Sequence, residues 1–146
     1  MPIVVSDFMP GDSRSGEVEL RGVVGGRPTT VFVRRLEDDT WYVIGTSVES
    51  IRLDAPSTGA TVSSPLSLTG AAWAFEGHVA VRLYADGVTE PIAESYVLGR
   101  GDEMGDFAGE LTFEVPVGAE HGTLVLFEPS AKDGGTIAAT VIRVRF

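Results

Sequence analysis

Two histidines, His78 and His121, are the residues best suited to acid–base or metal chemistry in this sequence. A Ser–His–Asp arrangement needs a histidine held between a nucleophile and a carboxylate, and no Gly-x-Ser-x-Gly elbow is present to offer the serine. The histidines also lack the close spacing of zinc ligands, and the absence of cysteine removes thiolate sites. We therefore predict solvated histidines at loop edges, no catalytic residue, no metal and no cofactor.

Carboxylates gather in turns, at Asp38-Asp39, in residues 102–106 and at Asp133. Oxygen-rich loops of this kind suit calcium, and residues 102–106 are the best candidate. None has the spacing of a twelve-residue calcium loop, and turn formation by aspartate explains the clusters equally well. A carboxylate-based hydrolase stays an alternative, although it needs two carboxylates about 5–10 Å apart in a cleft.

Trp73 and Phe75 flank Ala74, so in an extended strand both side chains point to one face. Large apolar residues of this type are usually buried in a core. If the face is exposed instead, the two rings form a ligand platform. We expect the buried arrangement.

The elements that would position these residues are β-strands, because the apolar pattern has a period of two nearly everywhere. In the first 50 residues the pattern predicts strands at 17–24, 29–36 and 40–45, joined by turns at 25–28 and at Asp38-Asp39. Trp41 and Val43 are expected to continue a buried face. Three short strands are too few for independent stability, so we predict a small meander that packs on the rest of the chain.

The remaining residues contain seven predicted strands with turn signals between them, and Asp86-Gly87 marks one hairpin. These strands are 51–54, 66–74, 78–85, 92–98, 107–115, 122–128 and 137–146. Their number and spacing predict an all-β, seven-stranded immunoglobulin-like sandwich over residues 51–146, preceded by the three-stranded β meander of residues 1–50. A closed barrel is the structural alternative.

Several stretches of this region carry a family resemblance: residues 51–56, 59–66, Thr69-Gly70, Ala74-Phe75-Glu76-Gly77, Phe107, and Phe127-Glu128 followed by residues 130–134. Together they resemble the immunoglobulin-like domain of bacterial spore germination, a GerMN-associated domain. The resemblance covers nearly all of residues 51–146. It implies a non-enzymatic sandwich from extracytoplasmic proteins of the bacterial cell envelope.

Two motifs within the resemblance are candidates for a structural or recognition role: Phe75, Glu76 and Gly77 in one, and Glu128 with Lys132, Asp133 and Gly134 in the other. One interpretation is a tight hairpin in which Lys132 pairs with Glu76 or Glu128 and ties the sheets together. The alternative is that the turn is a recognition loop. We favour the structural role.

Composition limits the partners. The chain has 146 residues and a net charge of −10, from 21 acidic and 11 basic residues. That charge disfavours nucleic acid and anionic membrane surfaces. No apolar run approaches the ~20 residues of a membrane span, and residues 1–5 are too short for a signal-peptide core. We expect a soluble binding or scaffolding module for a protein or cell-wall component, with a purely structural spacer as the alternative.

Overall fold

A computed structural model describes residues 3–22 and 28–146 and shows an all-β chain. The strands are β1 Ile3–Val5, β2 Met9–Pro10, β3 Ser15–Gly22, β4 Thr29–Arg35, β5 Trp41–Val48, β6 Ile51–Ala55, β7 Leu66–Ala72, β8 His78–Ala85, β9 Ala93–Leu98, β10 Gly105–Leu111, β11 His121–Pro129 and β12 Thr136–Arg145. A single 3-10 turn, Phe75–Gly77, separates β7 from β8, and no α-helix occurs in these two ranges. The all-β prediction is confirmed.

Hydrogen bonding joins the strands into one open antiparallel network that branches at β5. On one side of β5 lie β4, β3 and β1, with β2 also pairing β3. On the other side one arm runs β12-β11-β8-β9, and a second arm runs β6-β7-β10. Strand β5 reaches the first arm through Thr46 opposite Val141 and the second through Val48 opposite Ile51. One strand therefore connects the meander with both arms.

The two arms enclose a single apolar core. In strand β8, for example, Val79, Val81 and Leu83 occupy every second position, so they share one face and are fully buried in this core. Other core side chains from both arms are Leu68, Ala72, Phe107, Leu111, Leu124, Leu126 and Val144. Burying one such aliphatic or aromatic side chain stabilises the fold by about 1.5–3 kcal/mol. Across the described chain no ladder joins β9 to β10, so the arms form a sandwich and not the closed barrel.

A segment between β6 and β7 runs parallel to the C-terminal end of β12, with Thr61 opposite Arg145. Backbone hydrogen bonds fix it there, from Gly59 N to Arg143 O at 2.7 Å and from Val62 N to Arg145 O at 2.8 Å. A third bond runs from Arg145 N to Ala60 O at 2.9 Å. Strand β5 pairs with β12 only at Val141, and this segment pairs with β12 further towards its C-terminal end.

The meander differs from its prediction in burial. Trp41 and Val43 are exposed by 43% and 63%, so the expectation that they continue a buried face is wrong. The reason is that β5 joins β12 edge to edge, at Thr46, and its first half extends beyond the sandwich. The Trp41 ring meets Phe8 edge-on at 5.4 Å between centroids, and Arg35 lies 6.0 Å from the ring centroid.

The seven predicted strands of the sandwich correspond to β6–β12, with ends that differ by a few residues. The largest shifts are in β7, which ends at Ala72, and in β10, which ends at Leu111. Within the first 50 residues β1 and β2 were not predicted, because runs of three and two residues carry no readable alternation. The predicted turn at 25–28 falls mostly outside the described residues, which resume at Pro28.

In the part of the chain that the structure describes, no helix is long and apolar enough to cross a membrane.

Candidate functional site

The Phe75–Gly77 turn lies where the chain leaves β7 and enters β8 at one end of the sandwich. Two successive residues there are left-handed, Glu76 with φ 54° and Gly77 with φ 72°. The turn is closed by Gly77 N donating to Ala74 O at 2.7 Å, and by Gly99 N donating to Gly77 O at 2.8 Å. A Cβ on Gly77 would approach the Gly99 carbonyl oxygen to 2.7 Å, so glycine is required by both conformation and space.

This turn places Trp73 and Phe75 differently from the prediction. Because β7 ends at Ala72, the two residues do not share a buried strand face; they are exposed by 39% and 61%. The Trp73 indole N–H donates to the Gly101 carbonyl at 3.1 Å, and its backbone N–H donates to Ser50 O at 2.8 Å. The expected burial is wrong, and the exposed arrangement is the one found.

Glu128 connects this turn to the β11–β12 hairpin. Its Oε1 accepts a hydrogen bond from the backbone N–H of Phe75 at 3.1 Å. A register shift in the β11–β12 ladder falls between Glu128 and Pro129, at the point where the hairpin turn begins. The two predicted motifs therefore meet through Glu128 and Phe75, an approach that the sequence suggested without giving the atoms.

A pocket of about 210 Å³ lies between the turn and the hairpin. We call it the end pocket, and its lining residues are Ser50, Trp73, Ala74, Phe75, Gly101, Glu128, Ile137 and Ala138. Ser50, Ala74 and Ala138 are buried, whereas Ile137 is 52% exposed at the rim. The end pocket combines exposed apolar side chains with one carboxylate. Sequence reasoning missed Ile137, Ser50 and Ala138, because only the folded hairpin brings them beside Phe75.

Lys132 does not make the contact that we favoured. Its side chain is exposed, and it forms no ion pair with Glu76, Glu128 or any other described residue. The turn is held by its own backbone and by Asp133, whose Oδ1 accepts from Gly135 N at 2.9 Å, with Gly134 at φ 73°. The predicted Lys132 tie between the sheets is therefore wrong, because Lys132 lies on the exposed side of the turn and no carboxylate pairs with it among the described residues.

The histidines begin β8 and β11. His78 stacks on Tyr96 with ring centroids 5.3 Å apart, and His121 is exposed. In residues 102–106, the Arg100 guanidinium pairs with Asp102 at 3.2 Å and with Glu103 at 3.3 Å. The hydrogen bond from Arg100 holds the pKa of Asp102 below its ordinary value. Over the described ranges no group of three or more histidine, aspartate or glutamate side chains is placed to hold a metal ion.

The fold and the end pocket define an immunoglobulin-like β-sandwich with a small cleft of mixed polar and apolar lining at one end. The family model for the immunoglobulin-like domain of bacterial spore germination matches residues 50–135, which is more than half of the chain. The chain belongs to that family, as the resemblance implied. Strand β12, which completes the first arm, lies beyond the matched residues. No curated protein and no solved structure matches this chain.

Proposed function

We propose that this chain is a non-enzymatic binding module that works outside the cytoplasm and recognises a protein or a cell-wall component through the end pocket. The observation that carries the proposal is the pair of exposed apolar side chains, Phe75 and Ile137, on the rim of a concave site. Recognition sites typically combine apolar walls with a few placed polar groups. Membership of the spore-germination family supports the extracytoplasmic setting.

The chemistry of the end pocket supports binding more than catalysis. Glu128 is the one carboxylate among its lining residues, whereas hydrolysis by paired carboxylates requires two that face the same cleft, about 5–10 Å apart. Neither histidine is among the lining residues; His78 begins β8 and His121 begins β11. We therefore assign no catalytic residue.

A retention experiment tests the proposal. Immobilised protein is exposed to solubilised cell-envelope proteins and, separately, to purified cell wall. We expect a component that the native chain retains and that Phe75→Ala and Ile137→Ala each release. Val117→Ala is the matched control, since Val117 is fully exposed and does not line the end pocket. Retention that is unchanged by both pocket variants would overturn the proposal.

A structural spacer is the second candidate, and one observation favours it. Four consecutive large side chains at the start of β5, Trp41 to Ile44, are each exposed by 39% or more. Trp41 and Val43 share one face of the strand, and Tyr42 and Ile44 share the other. Exposed apolar surface often marks an interface, and a neighbouring domain stacked on either face of β5 would cover two of these side chains. A spacer predicts that the end-pocket variants leave every retained component in place.

A further inference from the structure

The end pocket is small, and its lining offers both apolar and polar surface. Its volume of about 210 Å³ is below the roughly 300–1,000 Å³ of sites for drug-sized ligands. One amino-acid side chain therefore fits the space better than an oligosaccharide. Phe75 and Ile137 offer exposed apolar surface at the rim, and Glu128 supplies the charged group.

Glu128 is positioned to accept a donor from outside the chain. Its Oε1 is already held by the Phe75 N–H at 3.1 Å, which fixes the carboxylate at the wall of the pocket. Its Oε2 accepts no hydrogen bond and joins no ion pair within residues 3–22 and 28–146. A carboxylate oxygen bonded to a cationic donor makes a stronger contact than one bonded to a neutral donor.

The charge around the pocket favours a cation. Glu76 lies in the turn beside Phe75, and Asp133 lies in the hairpin turn that leads to Ile137. Among the described residues, Glu76, Glu128 and Asp133 join no ion pair, and neither does Lys132. Arg100, which precedes the lining residue Gly101, is already paired with Asp102 and Glu103. The whole chain carries −10, so a positively charged partner is attracted at long range as well.

From these observations we propose that the end pocket receives an arginine or lysine side chain of a partner protein. The aliphatic stem packs on Phe75 and Ile137, and the cationic head donates to Glu128 Oε2. Long basic side chains suit such a site, because their stems cover apolar surface while their heads stay polar. This inference rests on the proposed binding function and names the group that is bound.

The test uses the full chain and two probes of similar shape and different charge. N-acetyl-arginine-methylamide is titrated against ¹⁵N-labelled protein, followed by the neutral citrulline analogue. We expect the arginine probe to shift the Phe75 amide and the Trp73 indole signals, with a Kd in the millimolar range. The citrulline probe should bind about tenfold more weakly, because it makes no charge-assisted bond. A Trp41→Phe variant assigns the two indole signals.

Matched variants separate the pocket from general electrostatics. Glu128→Gln keeps the Phe75 contact and removes the charge, and we expect it to abolish the preference for arginine over citrulline. Glu110→Gln removes the same charge from an exposed position on β10, away from the end pocket, and should leave the preference intact. Dispersed amide spectra of both variants show that each is folded.

The outcomes distinguish this inference from the binding function itself. If the citrulline probe shifts the pocket signals as strongly as the arginine probe does, the proposal of a cationic ligand is overturned and the proposed binding site remains. If no probe shifts them while envelope components are still released by Phe75→Ala, the ligand class is again wrong. A preference for arginine that survives Glu128→Gln would also overturn the proposal.

Discussion

At the residue scale, Gly77 shows most clearly how sequence fixes the site. Its φ is 72°, which favours glycine. A Cβ at this position would also lie too close to the backbone carbonyl of Gly99. The motif around Phe75 was visible in the sequence, but the exposure of its ring was not, because alternation alone places Phe75 on the face of Trp73. The sequence also suggested Lys132 as the tie between motifs, whereas Glu128 makes that contact, through a backbone N–H that no side-chain pattern reveals.

The first prediction concerns Gly77. Gly77→Ala should lower the free energy of unfolding by about 2 kcal/mol or more, since a left-handed alanine costs about 1–2 kcal/mol and the methyl group also meets the Gly99 carbonyl. Gly87→Ala is the control, with φ 82° and no atom within 4 Å of the added Cβ. It should lose only the conformational part, about 1 kcal/mol. Urea unfolding measures both, and equal losses would contradict the steric argument.

The second prediction concerns pH. Arg143 donates to both oxygens of Asp86, at 2.7 and 2.5 Å, and also to Thr123, so it joins the turn after β8 to β12. That hydrogen bond lowers the pKa of Asp86 below its ordinary 3.8. Folded Asp86 therefore binds its proton less readily than the unfolded form does. Its stabilisation is complete above pH 3.8 and is lost as the pH falls through the lower folded pKa.

Asp86→Asn should therefore reduce the free energy of unfolding at pH 7, by up to about 1 kcal/mol because the pair is partly exposed. At pH 2 the variant and the native chain should be equally stable. Urea titrations at the two pH values measure the difference. Asp7→Asn is the control, since the Asp7 side chain has no bonded partner among the described residues. A penalty that persists at pH 2 would show that the pair does not stabilise the fold through its charge.

At the scale of elements, the period-two pattern predicted the strands of the sandwich, but it did not predict which residues of the meander are buried. Strand β8 alternates between buried residues and residues that are partly or fully exposed, because both neighbouring strands and the opposite arm are in place. Strand β5 begins with four exposed apolar residues, since its first half has β4 on one side and no second layer. Hydrophobic pattern reports which residues can be buried, and the neighbours decide whether they are. That residues 1–50 need the sandwich in order to fold stays a prediction.

The third prediction comes from that difference. Trp41→Ala should lower the free energy of unfolding by about 1 kcal/mol, the value of a partly exposed ring contact such as that with Phe8. Leu124→Ala, at a fully buried position of β11, should cost about 2–5 kcal/mol. Both are measured by chemical denaturation at the same protein concentration. A loss at Trp41 that matches the loss at Leu124 would mean that the start of β5 is covered in solution.

At the scale of the whole molecule, fold class and family could be read from the sequence, because seven strands, their turns and the two motifs are local features. The end pocket could not be read, since it is assembled from four separate stretches of chain: Ser50, residues 73–75, Gly101 and the β11–β12 hairpin. The branching at β5 was equally hidden, because each arm joins this strand through one opposed pair, Thr46 with the distant Val141 and Val48 with Ile51. Long-range pairing of this kind leaves no trace in hydrophobic periodicity.

The parallel segment beside β12 has a mechanical consequence. Its bonds, from Gly59 to Arg143 and between Val62, Ala60 and Arg145, lie across the direction of both strands. Tension that pulls residue 59 back along the chain and Phe146 forward loads these bonds in shear, so that all of them must break in the same event. A zipper-like opening, in which bonds fail one after another, would need far less force. The C-terminal edge of the sandwich is thus held by bonds that resist a pull along the chain.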